Sequence, residues 1–189
     1  MANFLSTTLT LASFVCGGQE SESQELQPDP KLLAKLADRV EVDDVYSLQP
    51  PNGYRQVMPE RTPPGMKLMA WVGKPRDDGT SAMVQIMIVE PPEGEAIKSP
   101  EQAMESMIGG VKRQRHDWSQ TDPEPVKING IDFLRVEWTG TVPQLGKMHG
   151  RMYVAVDGRA HISIHTQDVE DHAGALAIGE AAALTFKKK

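Results

Sequence analysis

The chain has 189 residues, a formal net charge of −6 and an apolar share of 39%. Such a length supports one domain with residues to spare, and the negative balance excludes a general nucleic-acid surface, which needs a basic face. A single cysteine excludes a disulfide within the chain, and no run reaches the roughly 20 apolar residues of a membrane-spanning helix.

Residues 1–15, MANFLSTTLTLASFV, carry no charged side chain; Cys16-Gly17-Gly18 and an acidic Ser/Gln stretch follow. This order resembles a bacterial lipoprotein leader, with Cys16 as the lipidated residue. It divides the chain into a leader over 1–16, a flexible acidic tether over 17–30 and one folded domain over 31–189. The leader departs from the pattern in having no Lys or Arg near its start, and in placing Ser13 and Val15 where a Leu-like and a small residue are usual. The resemblance implies an extracytoplasmic protein, membrane-anchored through its lipid or secreted after cleavage. The alternative is a cytoplasmic protein-interaction domain in which Cys16 is incidental.

Lys31 to Val40 places apolar residues at 32, 33, 36, 37 and 40, one face of a short helix, with Asp29 as N-cap and Pro30 in the first turn. Strands follow at Val45–Leu48, Tyr54–Val57, Met66–Gly73 and Ser81–Glu90, divided by Pro/Gly clusters. In the last of these Met83, Gln85, Met87 and Val89 share one face, and Val84, Ile86 and Ile88 the other. Both faces are largely apolar, so both are expected to be covered. Ser99, Pro100 and Gln102 then form a helix start of the capping-box type. Ala103, Met104, Met107, Ile108 and Val111 continue it at helical spacing. Gly109-Gly110 costs helix propensity, about 1 kcal/mol per glycine, and marks either close approach to the sheet or the helix end.

Val126 to Gln167 reads as two hairpins. Asn129-Gly130 joins Val126–Ile128 to Ile131–Thr139, and Asp157-Gly158 joins Met148–Val156 to Arg159–Gln167, with a loop over Thr141–Lys147 between the hairpins. A two-residue turn at Asp157-Gly158 sets Val154 opposite His161, Gly150 opposite His165 and His149 opposite Thr166. Asp168 caps a last helix, Val169 to about Leu184, whose Ala and Gly suit close packing on a sheet.

The segment Tyr46-Ser47-Leu48-Gln49-Pro50-Pro51-Asn52-Gly53-Tyr54 resembles the opening strand and Gly-aromatic turn of the PsbP-like superfamily. The hairpin spanning Tyr153 to Ile164, and the close on Leu184-Thr185-Phe186-Lys187, are similar as well. The resemblance covers roughly residues 43–187. It implies an α+β fold, an antiparallel sheet of about six strands sandwiched by helices. It also implies an accessory or binding role without catalysis, and brings no set of functional residues with it.

The candidate sites are few. His161 and His165 invite a metal reading, but residues four apart in a strand lie about 13 Å apart along it, too far for one ion bound at about 2 Å. Ser163 between them is the candidate nucleophile of an alternative in which an enzyme pocket lies on the sheet face, using His161, Ser163 and His165. No Gly-x-Ser-x-Gly elbow and no phosphate-binding Gly motif is present. Met83, Met87, Met104, Met107, Met148 and Met152 read as core packing, as do Trp71 and Trp138. Lys112, Arg113, Arg115 and His116, with Trp118, form a basic patch beside an aromatic, suited to an anion or a partner. No cofactor and no metal is expected. The expected partner is an unidentified protein, with the membrane reached through the lipid alone.

Overall fold

The structure is a computed structural model, described here for residues 23–189. Cys16, the leader and the first part of the tether lie outside the described residues. The remainder of the tether carries structure. Gln24–Glu25 (β1) pairs in parallel with Glu124–Ile128 (β8), and Leu26 N–H donates to Lys127 O at 2.8 Å. Asp29 caps Pro30–Leu33 (α1) by accepting from Lys31 N–H at 2.8 Å, as its sequence position indicates.

That helix is shorter than the periodicity of 31–40 suggests. It stops at Leu33, and Ala37 N–H turns to Pro50 O at 2.8 Å while Leu36 bridges Pro51. A single helical turn is marginal alone, and the Pro50-Pro51 turn offers the next residues backbone partners instead.

Three short strands, Val40–Glu41 (β2), Tyr46–Leu48 (β3) and Lys187–Lys188 (β12), make a small sheet in the order β12-β3-β2. The main sheet adds Arg55–Val57 (β4), Met66–Val72 (β5), Met83–Val89 (β6), His116–Gln120 (β7), Ile131–Val142 (β9), Gly146–Asp157 (β10) and Ala160–Val169 (β11). Its order is β1-β8-β9-β10-β11-β6-β5-β4, with β7 pairing the distal half of β9. The expectation of about six antiparallel strands is therefore corrected: among the described residues the main sheet has nine strands and is mixed, since β1 and β8 run parallel. The strands of this sheet not read from sequence, β1 and β7, are short, polar and at its edges. They pair through their backbones, so no apolar alternation announces them.

The two hairpin turns differ in chemistry. Asn129 and Gly130 both have positive φ, at 47° and 80°, as a type I′ turn requires. The Asn129 amide also donates to Leu184 O and Phe186 O at 3.0 and 2.9 Å, binding the C-terminal segment to the turn. In the second hairpin Asp157 pairs with Ala160, so the loop residues are Gly158-Arg159, not Asp157-Gly158. Gly158 has φ 60° and Arg159 is not positive, the type II′ pattern. Asp157 is kept in the ladder by Tyr46 Oη, 2.6 Å away, and by Lys188 Nζ at 2.8 Å. The register consequently moves by two. His161 faces Val156, His165 faces Met152, and His149 faces Asp168.

Helices cover both faces of the sheet. Pro100–Lys112 (α2) begins with the capping box read from Ser99 and Gln102 and packs on β9, β10 and β11. Ala103, Met104 and Ile108 meet Val136, Trp138, Met152 and Val154 there. Ala173–Ala183 (α3) follows a 3₁₀ turn, Glu170–His172, and packs on the opposite face with Leu184 and Phe186 against Ile86, Ile162, Ile164 and Tyr153. Each such side chain, fully buried, contributes about 1.5–3 kcal/mol. A Cβ at Gly179 would stand 3.3 Å from Val84 Cγ2, so the small residues of α3 do let it lie close to the sheet. Asp168 is not its cap: this carboxylate is buried in an ion pair with Arg76, and α3 starts four residues beyond the expected Val169.

Candidate functional site: a cleft beside helix α2

On β6 alternate residues Val84, Ile86 and Ile88 are buried under α3, while Met83, Gln85, Met87 and Val89 are only half-buried. Coverage of both faces is thus incomplete. Helix α2 lies over β9–β11 and leaves β6 beside it uncovered, opening a groove with two clefts. One, of about 250 Å³, lies between α2 and the middle of β11 and β6. The other, of about 520 Å³, lies toward Pro63-Pro64 and Pro91-Pro92. Both touch Met87, Met107 and Gly110.

Gly109-Gly110 falls within α2, which continues to Lys112, so the pair does not end the helix. Nor does it mark contact with the sheet. A Cβ at either position would meet only the Arg113 guanidinium, at 3.7 and 3.9 Å. Gly110 instead leaves space at the junction of the two clefts, which it lines on both sides.

Strand β11 supplies the floor. His161, Ser163 and His165 are 6%, 5% and 8% exposed. Their row is therefore neither an exposed edge nor one compact cluster, because Ser163 and His165 line the smaller cleft and His161 the larger. His161 Nε2 stands 3.3 Å from Lys98 O. His165 lies between Met152 and Gln85 in the ladder, and its Nε2 has no hydrogen-bond partner among the described residues. Burial, and then the positive charge of Arg115, push its pKa down from 6.5 to about 3, so the ring is neutral at ordinary pH.

The basic patch read from sequence divides. Arg115 folds inward: Nη1 donates to Val111 O and Nη2 to Gln167 Oε1, both at 2.7 Å, and Cζ lies 4.5 Å from the Trp138 ring centroid. Its Nε has no partner, and burial lowers its pKa. Trp118 stacks on Trp138 at 5.2 Å, and Trp138 lies 5.5 Å from the His165 ring. Lys112, Arg113 and His116 stay exposed. Among the described residues, Arg115 has no carboxylate within ion-pair distance.

Sequence reasoning missed the amides and thioethers of this cleft. Gln85, Gln114 and Gln167 line it with Met83, Met87, Met107 and Met152. Met104, Met148 and Met152 are core residues, as their sequence positions indicate, the last also bordering the cleft. The available signal was the unexplained glycine pair in α2 followed by Arg115. No carboxylate of the described residues lines the smaller cleft, so among them Ser163 and His165 have no acidic partner. No group of three or more His, Cys, Asp or Glu suited to a metal occurs among the described residues.

No protein-family model matches the chain, and no curated protein matches it in sequence. Solved structures do match. The solution structure of cyanobacterial PsbP (CyanoP) from Synechocystis sp. PCC 6803 is similar at a TM-score of 0.59 and 16% identity, over 82% of this chain and 94% of that one. The chain has a PsbP-like fold. Two further structures resemble it more loosely. LpqN, involved in cell envelope biogenesis of Mycobacterium tuberculosis, has a TM-score of 0.46 at 8% identity, over 73% of this chain and 86% of that one. A protein from Bacteroides thetaiotaomicron VPI-5482 has a TM-score of 0.47 at 9% identity, over 76% of this chain and 45% of that one. Within the PsbP-like frame, the groove lies between the helix of one face and the strand beside it.

Proposed function

We propose that this PsbP-like chain is a non-catalytic binding or accessory protein that works outside the cytoplasm, with the groove between α2 and β6 as its binding surface. One observation carries the reading: the smaller cleft gathers buried Ser163 and His165 with half-buried Arg115, and no carboxylate of the described residues lies beside them. A nucleophile and base need a third group that orients the base, whereas a ligand needs a few polar groups in a partly apolar hollow. The location rests on the lipoprotein-like start, with Cys16 as the anchor. An unidentified protein partner fits the same surface through exposed Lys112, Arg113 and His116 at its rim.

Native mass spectrometry of the full chain, released gently from its own cells, tests the binding reading. The expected spectrum shows a small-molecule adduct on the wild type that a groove-filling Gly110→Leu variant lacks. Only the bare chain mass of each, with no adduct on the wild type, would sink it. The enzyme alternative predicts turnover of p-nitrophenyl acetate that disappears in Ser163→Ala, and such turnover would overturn the non-catalytic reading.

A further inference from the structure

A buried charge without a counter-charge is costly. Arg115, half-buried as a residue, carries part of that cost: its two terminal nitrogens serve neutral oxygens, its shielded Nε has no partner among the described residues, and no carboxylate of the described residues approaches it. His165, 8% exposed in the same cleft, has an Nε2 with no partner among the described residues. The Arg115 Nε–H, with the His165 Nε2–H of the Nε2-protonated neutral tautomer, makes a pair of open donors that suits the two oxygens of a planar monoanion. A cation, including a soft metal ion on the surrounding methionines, would instead sit against the Arg115 charge.

Beyond these groups the groove becomes apolar. Met87 and Met107 lead past Gly110 into the larger cleft, walled by Val89 and the Pro63-Pro64 and Pro91-Pro92 turns. We propose that the groove binds an amphiphilic carboxylate of the free fatty acid kind, its headgroup on Arg115 and His165 and its apolar body along Met87, Met107 and the proline-walled cleft. This names the ligand class of the surface put forward above and rests on that reading. Neither donor atom is open to bulk water. The headgroup reaches them by displacing methionine side chains, and unbranched thioethers repack at low cost. Gly110 in α2 keeps the passage between the clefts clear, which accounts for a poor helix former at that position.

The probe is dansyl-undecanoic acid, titrated by fluorescence into the full chain. Saturable enhancement is expected, with decanoate displacing the probe and decanol failing to do so at equal concentration. Arg115→Gln should weaken binding about tenfold or more, the size of one lost charge-assisted hydrogen bond. Gly110→Leu, which leaves Arg115 intact and fills the passage, should weaken it at least as much and serves if Arg115→Gln does not fold. Equal displacement by decanol, or full affinity in both variants, overturns the proposal. No probe binding together with a persistent native adduct lost in Gly110→Leu overturns the carboxylate assignment and leaves the binding reading standing. No probe binding and no adduct overturn both.

Discussion

Arg76 grips Asp168 through two parallel hydrogen bonds of 2.7 Å each, Nη1 to Oδ1 and Nη2 to Oδ2. The carboxylate is 0% exposed, and the guanidinium also reaches Thr80 Oγ1 at 3.1 Å. The pair pins the β5–β6 turn to the end of β11. Removing one partner of a buried pair strands the other charge, at about 3–5 kcal/mol. Arg76→Met leaves the more deeply buried group uncompensated, so it should cost more than Asp168→Asn, whose stranded partner is partly in water. Urea unfolding of the two variants measures this, and the opposite order would refute the reading.

The neutral imidazole of His165 should make the protein acid-sensitive. Its folded pKa, about 3, lies below the ordinary 6.5. Above pH 6.5 both folded and unfolded forms are neutral and the residue adds no pH dependence. Between about 6.5 and 3 the unfolded chain takes up the proton and the native state does not, so stability falls as pH falls. Each unit of that interval costs up to about 1.4 kcal/mol. Compared with wild type, His165→Gln should show a flatter loss of stability from pH 6.5 to 4, followed by denaturant midpoints. An unchanged slope would place the acid sensitivity elsewhere.

Asp157 acts at a lower pH. Burial alone raises its carboxyl, but hydrogen bonds from Lys188 and Tyr46 outweigh burial and hold it below the usual carboxylate range. Its folded form therefore contributes stability above the unfolded carboxylate pKa of about 3.9, and that contribution is lost as pH falls through the depressed folded value. Asp157→Asn should lower stability at pH 7 and lose less of it between pH 4 and 2. A pH 7 stability equal to wild type counts against the link between the hairpin and the C-terminal strand.

Two glycines on the α2 side of the sheet should respond oppositely to alanine. A Cβ at Gly150 would stand 2.5 Å from both Thr166 O and Trp138 Cζ2, so Gly150→Ala forces backbone and indole apart. The cost should be about 2–3 kcal/mol. At Gly110 the same methyl enters open space, and Gly110→Ala should stabilise by up to about 1 kcal/mol through helix propensity. Thermal unfolding distinguishes them. Destabilisation by Gly110→Ala would mean that the passage is not open.

The parts of the fold legible in sequence are those where local chemistry and burial agree. Asn129-Gly130 announced a hairpin because only a positive-φ turn suits that pair, and Ser99 with Gln102 announced α2 because both ends of the box were present. Gly158 was seen but misplaced by one position, since the deciding contacts to Asp157 come from Tyr46 and Lys188, distant in sequence. Strand β7 was invisible. HDWSQ has no apolar alternation, carries Asp117 at φ 49° and a bulge, and is held by β9. Much the same holds for the site. Arg115 and Trp118 were named from composition, yet the stack on Trp138 that turns them inward depends on the β9 register.

Cys16→Ala tests the anchor. In detergent phase partitioning of the native protein, wild type is expected in the detergent phase and the variant in the aqueous phase. Equal aqueous recovery of both would remove the lipid from the account.

The parallel pairing of Gln24–Glu25 with β8 fixes how far the domain can stray from such an anchor. Residues 17–23 alone would separate a lipid on Cys16 from the sheet, a reach of about 25 Å even when fully extended. The β8 edge would ride close to the bilayer. The groove beside β6 lies four strands further across, about 19 Å at the usual strand spacing. Its mouth would then stand within one protein diameter of the lipid surface, near enough for an amphiphile leaving the membrane to be met by the protein rather than by open water.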